Sequence, residues 1–206
     1  AARSFTRMFL HMWYLDEKAP DFDTFLNVPA KQQSANGFVM PYGDCPLDKD
    51  KVGEQVYMDM LNRAQKYVHI MTPYLILDGE LENALKYAAE RGVDVRIILP
   101  GVPDKYIPFA LALTHYRSLL EPGEDPGFVH AKVFVCDDRE AVVGTINLDY
   151  RSLYHHFECA TYLWGTDCIP QIQDDFEKTQ GKCREVTLDL LPAEPLKRRL
   201  LGFIAK

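Results

Sequence analysis

The sequence has no apolar run long enough to span a bilayer, which takes about 20 consecutive apolar residues. Its most apolar stretches, 67–77 and 106–113, are short and interrupted by polar side chains. The N-terminus carries no signal-peptide pattern. Basic charge is scarce. Against 23 Lys and Arg stand 30 Asp and Glu, a net charge of -7, which argues against broad nucleic-acid binding but leaves room for a local basic patch. The five cysteines, Cys45, Cys136, Cys159, Cys168 and Cys183, contain no C-x-x-C pair. Free thiols in a reducing compartment are therefore expected, not a disulfide framework. Internal repeats and low-complexity tracts are also missing. What is left is a chain of 206 residues, 47% hydrophobic, expected to fold as one domain with a substantial core.

Hydrophobic periodicity divides the chain. Phe5, Met8, Phe9, Met12 and Trp13 fall at helical spacing within 4–14, a face for core or interface. Residues 18–36 read as loop, with Pro20, Pro29 and a closing Asn-Gly. Helices are expected at 53–66, 78–91 (ended by Gly92), 106–120, 167–182 and 196–204. Strands are expected at 67–72, 93–99 and 159–164. Strands separated by helices point to an α/β sheet with helices on both faces. Pro73 biases Thr72 away from helical geometry, so Thr72-Pro73-Tyr74 marks a bend at the C-terminal end of a strand, where open α/β sheets place ligands.

The segment 130–147 carries the chemistry. Two Val- and Phe-rich runs separated by Asp-Asp-Arg read as a β-hairpin. With Asp138-Arg139 as a two-residue turn, His130 faces Asn147 and Lys132 faces Thr145. Alternation then gathers an imidazole, an ammonium, a hydroxyl and a carboxamide on one face, with Val133 and Val135 turned into a core. Asp137 lies at the turn, on the opposite face. Gly144 permits close backbone approach or an unusual dihedral. Such a set suits a phosphate ester. Imidazole attacks phosphorus or passes a proton near neutral pH, Lys attracts phosphoryl oxygens, and Thr and Asn donate where charge develops. No metal and no cofactor are expected, and His155 with His156 has too few partners for a metal site.

The residues His130-x-Lys132, Asp137 and Gly144-Thr145-Ile-Asn147 match the H-x-K-x(4)-D-x(6)-G-[ST]-x-N motif of the phospholipase D superfamily. Together with 37–48, Met71-Thr-Pro-Tyr-Leu75, Leu99-Pro-Gly101, 144–152 and His156-Phe-Glu158, the chain resembles the C-terminal half of a bacterial cardiolipin synthase over nearly its whole length. The resemblance implies a phospholipase D-like mixed sheet flanked by helices on both faces. It also implies transfer of a phosphatidyl group between two phosphatidylglycerols through a phosphohistidine, with release of glycerol. Two motifs normally meet in one active site. Only one is present, and the chain opens at Ala1-Ala2, so it reads as one phospholipase D-like domain over 1–206, an excised half with a helix and connecting loop at 1–36 and a catalytic half at 37–206.

The implied catalytic residues are His130, Lys132, Asp137, Asn147 and Glu158, with Glu158 beside the His130 ring. The implied substrate-binding residues are Gly144, Thr145, Tyr74 and Arg151. The implied partners are phosphatidylglycerol, a missing N-terminal half or a homodimer mate, and a membrane surface, with no nucleic acid. The parent enzyme would stand at the bacterial cell membrane with a cytoplasmic-facing catalytic domain, and this fragment itself would be soluble. The C-terminal Lys197-Arg198-Arg199 with Leu200, Leu201, Phe203 and Ile204 suits either an anionic membrane surface or an ordinary helix parted from its partner. The turn-rich segment 121–127 departs from the family, which places a short strand there. The segment reads as too short for one, so either a strand is deleted or the sheet is paired differently. The alternatives are a phosphodiesterase or nuclease of the same superfamily, or an inactive lipid-phosphate-binding module.

Overall fold

Among the described residues eight strands form one mixed sheet, and its order explains where the motif ends up. The computed structural model describes residues 1–15, 21–27, 29, 36–101, 122–125 and 129–185. In chain order these are α1 (Ala2–Trp13), α2 (Phe22–Leu26), β1 (Phe38–Asp44), α3 (Val52–Arg63), β2 (Tyr67–Met71), β3 (Leu75–Ile76), α4 (Gly79–Glu90) and β4 (Asp94–Pro100). Next come β5 (Pro122–Asp125), β6 (Val133–Cys136), β7 (Glu140–Gly144), β8 (Leu148–Asp149), α5 (Tyr150–Tyr154), β9 (Glu158–Trp164), α6 (Ile169–Gln180) and β10 (Arg184–Glu185). The sheet order is β1-β9-β7-β6-β2-β4-β5-β10, and β3 pairs with β8 separately. β2 and β4 are parallel, joined through α4 as a crossover unit, whereas β6 runs antiparallel to β2.

Helices cover both faces, as expected. On one face Tyr57, Met60 and Leu61 of α3 and Leu81 and Leu85 of α4 pack on Val68, Ile70, Phe134, Val142 and Ala160. There the Tyr57 ring stacks on Phe134 with centroids 4.0 Å apart. On the other face α6 contributes Phe176 against Met71, Ile98 and Val133, and Ile169 against Val135, Ala141 and Leu163. β6 is thus buried on both sides, Val133, Phe134, Val135 and Cys136 alike, because it is a central strand. All five cysteines are free, and no helix among the described residues is long and apolar enough to cross a membrane.

Several sequence expectations need correction. The turn-rich 121–127 segment does contain a strand: β5 pairs in parallel with β4 and antiparallel with β10. Its ladder is supplied by neighbours distant in sequence, and Pro122 occupies the first strand position, where no N–H is required. The loop expected at 18–36 contains α2, whose N-cap Asp21 accepts the Thr24 N–H. β1 was hidden by Pro41 and Gly43; an edge position in the sheet tolerates both. The helices expected at 106–120 and 196–204, and the basic cluster Lys197-Arg198-Arg199, lie outside the described residues.

A polar cluster ties α3, α4 and α5 together. The Tyr154 hydroxyl lies 3.0 Å from Glu54 and also bonds Asp78, which caps α4 by accepting the Leu81 N–H at 2.8 Å. Burial, and then the Asp78 carboxylate beside it, push Glu54 up to about 7. Burial alone would raise Asp78, but bonds from Glu54, Tyr154 and the Leu81 and Glu80 N–H groups outweigh it and hold Asp78 low. Between the ordinary value of 4.5 and about 7, the folded chain keeps a proton on Glu54 that the unfolded chain has released. The contribution of Glu54 to stability therefore falls as pH rises through that window. Glu54→Gln, neutral throughout, should remove this slope. Urea midpoints at about pH 5 and about pH 8 should show the variant gaining on wild type at the higher pH. A difference independent of pH would rule out the shared proton.

Candidate active site

The hairpin turn decides which residues meet. Asp137 and Asp138 both take positive φ, 53° and 54°, a conformation that Asp tolerates better than most residues and that matches the twist of paired strands. The Arg139 N–H donates to the Cys136 carbonyl at 3.0 Å, and the strand resumes at Glu140, opposite Cys136. The loop is three residues long, not the two expected. The register moves by one: Val133 faces Val143, and the Gly144 N–H reaches the Lys132 carbonyl at 3.2 Å. Gly144, not Thr145, is therefore opposite Lys132. A one-residue shift changes which side chains share a face, so Lys132 shares its face with Gly144 and, through the β7–β9 register, with Ala160 and Glu158.

The polar end of the sheet is built by the C-terminal ends of β2 and β7 and the N-terminal ends of β6 and β9. Thr72 follows β2 and is 1% exposed. Its hydroxyl donates to the Tyr74 carbonyl (2.9 Å) and accepts the Leu148 N–H (3.3 Å), while β3 pairs with β8. These bonds bring the 72–74 bend beside the 145–148 segment, which the Tyr57 hydroxyl also holds through the Ile146 carbonyl at 3.1 Å. The Tyr74 ring meets the exposed His130 ring edge-on, centroids 6.4 Å apart. The Lys132 ammonium donates to the His130 carbonyl at 2.6 Å. Asn147 donates to the Ser152 hydroxyl at 2.9 Å, and its Oδ1 is buried with no hydrogen-bond partner among the described residues. Gly144 is required by close approach: a Cβ there would lie 2.4 Å from the Ala160 Cβ and 2.5 Å from the Cys159 carbonyl oxygen.

Glu158, expected beside the His130 ring, stands beside His156: its Oε1 is 3.4 Å from His156 Nδ1, and its Oε2 accepts the Thr145 hydroxyl. The Thr145 hydroxyl in turn accepts the Cys159 N–H at 3.1 Å. Asp137 sits at the far end of β6, five residues past Lys132 and about 16 Å away at strand spacing. Its carboxylate accepts the N–H groups of Gln65 (2.8 Å), Lys66 (2.9 Å) and Tyr67 (2.9 Å). Burial alone would raise the Asp137 pKa, but these bonds outweigh it and lower it. Its place is in holding the hairpin to the α3–β2 junction. Arg151 is exposed on α5. The residue that sequence reasoning passed over is His156, considered only as a metal ligand. Its spacing two residues before Glu158 was the available signal, since such residues share a face in extended chain.

This sheet, with these groups at one end, is the phospholipase D fold. Nuc of Salmonella typhimurium, a phospholipase D family member, superposes with a TM-score of 0.62 at 17% identity, over 74% of this chain and 99% of its own. The phosphatidylserine synthase of Haemophilus influenzae follows at 0.61 and 20% identity, over 81% of this chain and 45% of its own. Residues 57–180 match the family described as cardiolipin synthase, phospholipase D-like domain, and the chain belongs to that family. It is 33% identical to the cardiolipin synthase of Geobacillus thermodenitrificans over 212 residues, covering 100% of this chain and 42% of the relative. It is 32% identical to cardiolipin synthase 2 of Bacillus anthracis over 207 residues, 98% of this chain and 40% of the relative. A Streptococcus mutans protein is 56% identical over 208 residues, 98% of this chain and 45% of the relative. The chain spans less than half the length of each of these three sequence relatives.

Gly144→Ala should cost roughly 1–3 kcal/mol of stability, since the methyl group meets a neighbouring strand rather than a flexible side-chain end; urea unfolding measures it. Asp137→Ala should cost about 2 kcal/mol, because three N–H groups lose a charged acceptor but two of them are near solvent. Amide shifts should then move most at Gln65, Lys66 and Tyr67, with smaller changes relayed along the hairpin to Gly144 and Thr145. Movement centred on the latter pair would mean that Asp137 acts on the site after all.

Proposed function

We propose that the chain is the C-terminal half of a bacterial cardiolipin synthase and supplies one half of a phosphatidyltransferase site, with 1–36 as a connecting element and 37–206 as the catalytic half. The observation that carries this reading is the convergence of His130, Lys132, Gly144-Thr145, Asn147 and Glu158 at one end of the sheet, in a chain of this family. The phosphate diester of phosphatidylglycerol binds against Lys132 and Asn147, with Tyr74 flanking His130 and Arg151 reaching phosphate from α5. An imidazole from the second half, in the same longer chain or a second copy, attacks phosphorus and forms a phosphohistidine. His130 protonates the departing glycerol oxygen, then takes the proton from the hydroxyl of the second phosphatidylglycerol as that oxygen attacks phosphorus and frees the histidine. Glu158 fixes the Thr145 hydroxyl and the segment that bears Asn147. The substrate locates the reaction at a membrane surface, on its cytoplasmic side.

Two experiments test this. Phosphatidylglycerol vesicles supplied to the chain alone, and to a longer protein containing both halves, should give cardiolipin and glycerol only with both halves present. Phosphatidic acid and glycerol would instead mark a hydrolase, cleavage of a DNA substrate would mark a nuclease, and binding without turnover in either protein would mark a lipid-phosphate-binding module. In the longer protein Lys132→Ala should slow turnover by about a hundredfold or more. An ammonium about 4 Å from a phosphoryl oxygen contributes about 4 kcal/mol at an effective dielectric near 20, part of it offset by desolvation. Near-normal turnover with an intact fold would remove Lys132 from the phosphate site.

A further inference from the structure

A second feature adjoins the motif and belongs to no residue of it. The loop after β1 folds against the end of α5, and together they enclose a cavity of about 260 Å³ whose walls include Asp44, Lys51, Tyr154 and His156. Asp44 is the β1 partner of Glu158, and His156 Nδ1 is 3.4 Å from the Glu158 carboxylate that holds Thr145. The walls are set in place. Asp44 is 6% exposed and accepts the N–H groups of Cys45 (3.1 Å) and Gly53 (2.8 Å). The Lys51 ammonium lies 4.2 Å over the Tyr154 ring and 3.8 Å from Glu54.

The walls also select a ligand class. Liquid water takes about 30 Å³ per molecule, so this volume suits a small hydroxylated group with its hydration. The walls hold three carboxylates, Asp44, Asp48 and Asp50, against two ammonium groups, Lys49 and Lys51, a balance that disfavours an anion such as phosphate. Among the described residues no three His, Cys, Asp or Glu side chains converge to hold a cation. Carboxylates accept from hydroxyls, and ammonium groups donate to them. An imidazole whose Nδ1–H points to Glu158 presents Nε2 as an acceptor for one hydroxyl more.

We propose that this cavity binds a neutral polyol, the glycerol headgroup of the lipid alcohol that accepts or leaves the phosphoryl centre, with His156 bonded to one of its hydroxyls and oriented by Glu158. Its place in a reaction rests on the transferase reading given above; its existence as a binding site does not.

The site is tested in two arms. In the chain labelled with ¹⁵N-histidine, added glycerol should shift the His156 resonances saturably, with His11 and His69 unmoved, and inorganic phosphate should not reproduce the shift. Uniform, non-saturating drift of all histidines, or a stronger response to phosphate, overturns the proposal. In the longer two-half enzyme, His156→Gln should raise KM for the acceptor alcohol about five- to tenfold, the worth of one neutral hydrogen bond, and by more than it lowers kcat. An unchanged KM there overturns the proposal as well. The arms also separate the two readings. A longer enzyme that makes no cardiolipin refutes the transferase assignment while the glycerol titration still decides the cavity. Active enzyme with an unresponsive His156 refutes the cavity alone.

Discussion

The carboxylate of Asp137 is the point on which the polar end of the sheet depends, although it stands at the opposite end. Two successive residues at positive φ are costly outside glycine, and the turn holds because the Asp137 side chain takes three N–H groups from the start of β2. Asp138 adds a bond from the Tyr67 hydroxyl at 2.8 Å. With the turn anchored, Arg139 becomes the extra residue, and every pairing along β6–β7 follows. Gly144 then lies opposite Lys132 and directly against Ala160, and the chain just beyond it brings the Thr145 hydroxyl to Glu158. A motif residue can thus help set the hairpin register from the end of the sheet opposite Lys132.

The sheet separates its buried charges in the same way. Glu140 is fully buried at the Asp137 end and is met by Arg63 (2.8 Å), Arg139 (3.2 Å) and the Tyr162 hydroxyl (2.7 Å). That closed set leaves the carboxylate nothing to do but hold strands together. At the other end Glu158 keeps an exposed imidazole and an exposed hydroxyl as partners, and groups of that kind can respond to a ligand. Two acids on adjacent strands serve opposite purposes because one end of the sheet is sealed by arginines and the other opens on solvent.

Much of this was legible beforehand. The helices α1, α3, α4 and α6 and the strands β2, β4 and β9 stand within about three residues of their sequence-based positions, because each carries a clear apolar period. The motif spacing singled out His130, Lys132 and Gly144, which stand at one end of the sheet. What escaped the sequence was set by contacts distant along the chain. β5 looks like a turn and becomes a strand only because β4 and β10 supply its ladder. The hairpin register differed by one residue because no local signal distinguishes a two-residue from a three-residue loop in Asp-Asp-Arg when the deciding bonds come from Gln65, Lys66 and Tyr67. Glu158 stands beside His156, a pairing that the sequence reading did not raise because the His156 spacing was weighed only for metal binding.

The two tryptophans sit in contrasting surroundings. Trp13 on α1 is 55% exposed and lies 5.6 Å from the Phe9 ring, whereas Trp164 closes β9 with the Arg139 guanidinium 4.6 Å from its ring and Arg63 at 6.0 Å. The indole of Trp164 is therefore a built-in optical gauge of the arginine-sealed end of the sheet. Its emission will follow the melting of the hairpin turn and remain indifferent to what occupies the other end.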